Sequence, residues 1–232
     1  MQAILSIQKL SKSFMLHQKN KRIRAIEDVS LTLHEGEFIG ITGKSGSGKS
    51  TVLKCIHRTY LPEAGEIWYN SRLYGPIDLA QASERIMIEL RREEIGYVSQ
   101  FLNVMPRTTA KELVKHAIVE TGRDADYAER ETVRMLEHFE LDRELWDSYP
   151  ATFSGGEKLR LNIARAMAKR PRLLLLDEPT ASLDEASKGK VKVLIEQLMG
   201  EGTTMLGIFH DLEFMNHLCS REYRIRDGRV LA

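Results

Sequence analysis

Cysteine is scarce: Cys55 and Cys219 are the only two in 232 residues, and they lie too far apart in sequence to share the spacing of a metal site. That argues against a disulfide framework or a zinc module and for buried, reduced thiols. Excess charge of one sign is also missing, since 34 basic and 33 acidic residues leave a formal net charge of +1. Such balance gives no long-range pull toward nucleic acid or anionic lipid and leaves room only for a local patch. No apolar run approaches the roughly 20 residues that cross a bilayer. Residues 1–14 set lysines among short apolar pairs, without the apolar core of a secretory signal. A soluble, cytoplasmic chain is expected. Internal repeats and low-complexity linkers are absent too. What remains, 42% hydrophobic and 29% charged, suits one large domain or a core with an inserted subdomain.

The stretch that organises the rest is 43–51, Gly-Lys-Ser-Gly-Ser-Gly-Lys-Ser-Thr. An apolar run at 38–42 precedes it and reads as a buried strand; a helical pattern at 52–56 follows. Strand, glycine-rich loop and helix with GxxxxGKS spacing form the context of a phosphate-binding P-loop. Gly43, Gly46 and Gly48 allow a tight loop whose N–H groups, with Ser45 and Thr51 in the same cradle, converge on a phosphate chain at the positive end of a helix. Lys49 is expected to reach the β- and γ-phosphates, and the Ser50 hydroxyl to ligate Mg²⁺. A nucleotide is the expected ligand.

Around this loop, strand-like runs at 3–7, 30–33, 65–69, 95–100, 172–177 and 203–209 alternate with helical ones at 82–92, 156–169 and 191–199. The run at 172–177 holds four consecutive leucines, the mark of a strand buried on both faces. Val191, Leu194, Ile195, Leu198 and Met199 fall on one helix face, closed by Gly200 and Gly202. From 108 to about 149 the chain is helical and charged, with Val133, Leu136 and Phe139 on an apolar face. Lys19, Lys21, Arg22 and Arg24 read as a solvated hairpin tip. The pattern is an α/β core around a mostly parallel sheet with a helical insert. It implies one domain, 1–232, with a core of about 1–100 and 171–232 and a helical subdomain at about 101–170.

Two further motifs follow in order. Residues 173–178, four leucines and then Asp177 and Glu178, place one carboxylate beside Mg²⁺ and a second where it can polarise an attacking water. Residues 152–157 hold a Ser-Gly-Gly turn, Ser154, Gly155 and Gly156, at a helix start that presents N–H groups and a hydroxyl to an anion; a plain N-cap would explain it equally. With the P-loop, this turn resembles the signature of the ABC ATPase family, here with Phe153 for the usual leucine and Glu157 for the usual glutamine. The resemblance covers essentially the whole chain. It implies the P-loop NTPase core with an N-terminal antiparallel β subdomain and an inserted helical subdomain, ATP hydrolysis, and ATP and Mg²⁺ as cofactors.

By the same resemblance, Gln100 matches the glutamine that contacts Mg²⁺ or water, and His210 the switch histidine at the γ-phosphate. Asp184 matches a residue that crosses a dimer interface, and Phe14 is the aromatic that would stack on adenine. Ser154 to Gly156 would cap the γ-phosphate bound by an opposite subunit, in a head-to-tail homodimer or a heterodimer with a second ABC subunit. The segments 14–18, 98–107, 145–146 with 150–157, and 207–211 resemble, more narrowly, the L-type ATP-binding subunit of the bacterial carbon–phosphorus lyase (phosphonate utilisation) system. That implies a cytosolic lyase complex as partner, in a group described with ribose 1-methylphosphonate 5-triphosphate synthase activity. The alternative is the ATPase subunit of a membrane transporter of the lipoprotein-release or macrolide-export type. A DNA-acting ATPase would call for zinc spacing, a coiled-coil insert or a basic excess, all lacking. The segment 101–107, with Asn103 and Arg107, is the expected partner surface.

Overall fold

Burial alternates along some strands and is continuous along others, and the strands pair into two sheets. The first group is β1 (Ala3–Leu16), β2 (Lys21–His34), β4 (Ala64–Ser71) and β5 (Gly75–Asp78); the second is β3 (Phe38–Thr42), β6 (Ile95–Val98), β7 (Leu173–Asp177), β8 (Thr204–Ile208), β9 (Arg221–Arg226) and β10 (Arg229–Val230). The helices are α1 (Lys49–Ile56), α2 (Glu84–Glu93), α3 (Ala110–Val119), α4 (Ala125–His138), α5 (Gly155–Met167), α6 (Glu185–Gly200) and α7 (Leu212–Asn216). The computed structural model describes residues 3–16, 21–99, 107–180, 183–209, 212–216 and 218–231.

The first group forms an antiparallel sheet in the order β2-β1-β4-β5. The second forms a six-stranded sheet, β10-β9-β3-β8-β7-β6, parallel except for the short edge strand β10. Strands β3, β7 and β8 are buried along their whole length, as a sheet covered on both faces requires. The four leucines of β7 alternate between two cores. Leu173 and Leu175 join the antiparallel sheet, α1 and α2, whereas Leu174 and Leu176 join α3 to α7. The result is three layers with the parallel sheet in the middle.

The expected α/β class with its antiparallel N-terminal sheet is the fold observed. The first two strands, however, are 14 residues each, far longer than the alternation at 3–7 and 30–33 indicates. Register shifts interrupt their pairing, and Lys9 (φ 51) and Asp28 (φ 55) take left-handed backbone. Each shift resets the period of two. Two serine hydroxyls fill the disturbed ladder: Ser30 Oγ accepts from Lys9 N at 2.9 Å, and Ser11 Oγ from Asp28 N at 3.0 Å. Helices α3 and α5 begin with reciprocal capping boxes, Thr109 with Glu112 and Ser154 with Glu157.

Where the two sheets meet, Glu94 is 4% exposed. Its carboxylate accepts from the Tyr69 hydroxyl (2.9 Å), the Ser71 hydroxyl (2.8 Å), and the backbone of Arg72 (3.2 Å) and Leu73 (2.9 Å). Cys55 is buried and Cys219 half-buried, neither in a disulfide, and burial pushes both thiols up to about 12.

Candidate functional site

The loop at 43–48 connects β3 to α1 and is pressed between two strands. Gly48 is the N-cap of α1 at φ 102, and a Cβ there would collide with the Ala25 carbonyl of β2. At Gly43, φ +142, a Cβ would collide with the Ile225 carbonyl of β9. Only glycine fits either place, and the loop has one available path. Ser45 and Gly46 lie exposed at its crest. Lys49 is 4% exposed, and its Nζ donates to the carbonyls of Gly43 (2.9 Å) and Lys44 (3.1 Å). Burial lowers the Lys49 pKa, while Glu178 and then Asp177 act to raise it. Thr51, one residue beyond Ser50, is half-buried and donates its N–H to the Gly48 carbonyl at 3.0 Å.

The carboxylates arrive from β7. Asp177 ends that strand, 6% exposed, with Oδ1 accepting from the Ser50 hydroxyl at 2.9 Å and Oδ2 from the Tyr97 hydroxyl at 2.6 Å. Burial, then the bond to Asp177, raises the Tyr97 pKa, so this hydroxyl stays a donor. Glu178 follows at φ 53, a strained angle for a side-chain-bearing residue, half-buried and within electrostatic reach of Lys49. Loop, lysine, hydroxyl and two carboxylates thus share one spot. Sequence reasoning passed over Tyr97, taking 95–100 as a plain apolar strand; a phenol two residues after Ile95, on the strand face shared with Ser99, was the available signal.

This spot suits a phosphate chain with Mg²⁺. The Ser47 hydroxyl is buried in the loop without a hydrogen-bond partner, a polar atom that a phosphate oxygen would satisfy. Among the described residues, no group of three or more His, Cys, Asp or Glu could hold a metal alone. A hydroxyl and a carboxylate, Ser50 and Asp177, form the sparse set that Mg²⁺ takes when substrate phosphates and water complete its shell.

The other expected residues group elsewhere. Ser154 and Gly155 are exposed at the start of α5. Ser154 Oγ accepts from Glu157 N at 3.3 Å, and Glu157 accepts from Ser154 N at 2.7 Å, so the departure from glutamine completes the cap. A Cβ on Gly156 would come 3.0 Å from Ser187 Oγ, which brings α6 against this turn. Asp184, exposed, is the N-cap of α6 and accepts from Ser187 N at 2.7 Å. Phe14 is half-buried, edge-on to Tyr60 with ring centroids 5.0 Å apart, and Lys12 lies 5.4 Å over its ring. Gln100 and His210 lie outside the described residues, as do 101–106; Arg107 is exposed. Among the described residues, no helix is long and apolar enough to cross a membrane.

Comparison with known proteins points to a family. The ABC transporter family profile matches residues 26–181, well over half of the chain. The chain is 32% identical over 234 residues to the methionine import ATP-binding protein MetN of Streptococcus pyogenes, covering 99% of this chain and 64% of that protein. It is 31% identical over 229 residues to the macrolide export ATP-binding/permease protein MacB 2 of Yersinia pestis, covering 99% of this chain and 32% of that one. The chain therefore spans less than two thirds of the length of these relatives. Among solved structures, the dimeric bacterial ABC transporter cassette MJ0796 superposes with a TM-score of 0.89 at 30% identity, covering 98% of this chain and 97% of that one. A dimeric post-hydrolysis state of that cassette, bound to ADP and Pi, gives 0.88 at 29% identity with the same coverage. None of these names refers to phosphonates or to a carbon–phosphorus lyase, so the narrower expectation gains no support from them.

Proposed function

The chain belongs to the ABC transporter family and is an ATP hydrolase that uses ATP with Mg²⁺; on that premise we propose that it is the ATP-driven engine of a membrane transporter, working at the cytoplasmic face as a dimer. The relatives' names, import and export alike, support transport, and the Ser50–Asp177 bond beneath the glycine loop supports the chemistry.

In this reading the N–H groups of 43–51 cradle the phosphates and Lys49 donates to the β- and γ-phosphate oxygens. When bound, Mg²⁺ neutralises phosphate charge, and Ser50 and Asp177 are the residues that would hold it, with Gln100 beside them. Tyr97 fixes the Asp177 carboxylate from behind. Glu178 accepts the proton of the attacking water, and His210 contacts the γ-phosphate. Phe14 stacks on the adenine. Ser154, Gly155 and Gly156, with Asp184 beside them, serve the nucleotide held by the opposite subunit, and two-fold symmetry makes two such sites. ATP closes the dimer; loss of the γ-phosphate contacts opens it. The segment at about 101–170 acts as the subdomain that passes this motion on.

A role beside a carbon–phosphorus lyase is the second reading, resting on the four short segments that resemble that system. One experiment separates them. Tagged Glu178→Gln protein, expected to bind ATP, accumulate as dimer and hardly turn over, is used with ATP and Mg²⁺ to capture partners from native cytosol and detergent-solubilised membranes, read by mass spectrometry. A polytopic membrane protein is the expected catch. Soluble lyase subunits in its place would establish the second reading, and normal turnover of the variant would remove the assignment of Glu178.

A further inference from the structure

The two oxygens of the Asp177 carboxylate are held differently. Oδ1 accepts from the Ser50 hydroxyl at 2.9 Å, and Oδ2 accepts from the Tyr97 hydroxyl at 2.6 Å. Tyr97 reaches that oxygen from the neighbouring strand. It is paired in parallel register with Leu175, and Asp177 lies two residues farther along β7, so both side chains leave the same face of the sheet. The length of the phenol covers the two-residue offset.

The ring is held as well as the hydroxyl. The His57 ring lies against it, with centroids 4.8 Å and planes 33° apart. His57 is the C-cap of α1, and its Nδ1 is 3.0 Å from the Thr59 hydroxyl. The same helix carries Ser50 in its first turn. One helix thus addresses Asp177 from two directions, by direct contact at its start and through the phenol at its end. A hydrogen bond to an ionised carboxylate is roughly twice as strong as one between neutral groups. With Asp177 only 6% exposed, water competes poorly for the oxygen that Tyr97 holds.

We propose that Tyr97 is a specificity-determining residue for the divalent cation: by engaging Oδ2 it leaves Asp177 a ligand of one oxygen and so favours Mg²⁺ over Ca²⁺. This rests on the proposed role of Asp177 beside the nucleotide. Mg²⁺ takes a compact octahedral shell in which a carboxylate supplies one oxygen. Ca²⁺ is larger, takes more oxygens and accepts a carboxylate by both of them. A carboxylate with its second oxygen engaged meets the first demand and fails the second. Tyr97 acts through Asp177, as a positioning residue.

The test reads cation binding and not turnover. Mn²⁺ is bound to the full chain carrying ADP and displaced with Mg²⁺ or with Ca²⁺; free Mn²⁺ is followed by electron paramagnetic resonance beside a blank of ADP alone. The wild-type chain is expected to prefer Mg²⁺ over Ca²⁺ more strongly than ADP alone does, a comparison that needs no variant. Tyr97→Phe keeps the ring on His57 and removes the hydroxyl, and the preference should fall about tenfold, chiefly through tighter Ca²⁺. Asp177→Asn should weaken both cations. A wild-type preference no greater than that of ADP would overturn the inference. So would an unchanged Mg²⁺-to-Ca²⁺ ratio in Tyr97→Phe, even with both affinities lowered; if Asp177→Asn still weakens both cations, the role of Asp177 stands. If Asp177→Asn changes neither cation, that role fails and the inference falls with it.

Discussion

The two anion-facing parts of the chain are built in opposite senses. Within 43–50 three polar side chains turn inward: Lys49 is buried on loop carbonyls, Ser50 is bonded to Asp177, and the Ser47 hydroxyl is buried without a partner. At 154–157 and 184–187 polar groups turn outward, where Ser154, Gly155 and Asp184 are exposed and both capping side chains bond their own helix starts. The inward part is preorganised for a ligand of its own chain. The outward part offers helix N-termini to something that approaches from outside. This contrast is the physical ground for the proposal of a site shared between two copies.

The contrast can be broken by experiment, beginning with the inward part. Lys49→Ala is expected to lower ATP hydrolysis by at least about a hundredfold and to abolish tight nucleotide binding, read by phosphate release and nucleotide titration. Equal loss of ATP affinity in a monomeric Ser154→Ala protein would erase the distinction. Gly48→Ala should destabilise the fold by about 2 kcal/mol or more in chemical denaturation, through left-handed backbone and the collision with Ala25.

Acid should act on the inward side as well. The unfolded chain takes up a proton on His57 near its ordinary 6.5, while the folded chain, where burial, Arg91 and Lys169 act against the charge, refuses it until about 4. The unfolded state therefore binds more protons in that window, and stability falls as pH drops through it. A loss of about 2 kcal/mol between pH 7 and 5 is expected from this group, and His57→Gln should flatten the curve. The smallest effect belongs to the outward part. Ser154→Ala should cost about 1 kcal/mol for the lost cap and should slow hydrolysis in the dimer while leaving ATP affinity intact.

The chemistry was legible in the sequence because it is local. A phosphate loop must fit its residues within one turn, so 43–51 announces itself; likewise Asp177 and Glu178 close a run of leucines. Legibility failed where burial does not show as a period. Strands β9 and β10 are polar and largely exposed and β5 is four half-buried or exposed residues, so they carry no alternation, and the shifts at Lys9 and Asp28 hide two thirds of β1 and β2. Tyr97 escaped for a different reason. It meets Asp177 and His57 from a separate element, and only the folded chain brings the three together.

Glu94 gives the two sheets a mechanical unity. Four donors, Tyr69 and Ser71 at the end of β4 and the backbone of Arg72 and Leu73 in the turn after it, end on a buried carboxylate that stands between α2 and β6, and sliding one sheet past the other would leave that carboxyl buried without partners. The β4–β5 hairpin and β6, with Tyr97 on it, must travel as one rigid piece. Helices α3, α4 and α5 meet the strands through apolar packing, which can shear. In the proposed cycle, nucleotide-driven displacement is expected on the helical side, with the sheets as its fixed frame. Amide exchange should be slowest across β4 and β6 and should respond to nucleotide chiefly in α3 to α5.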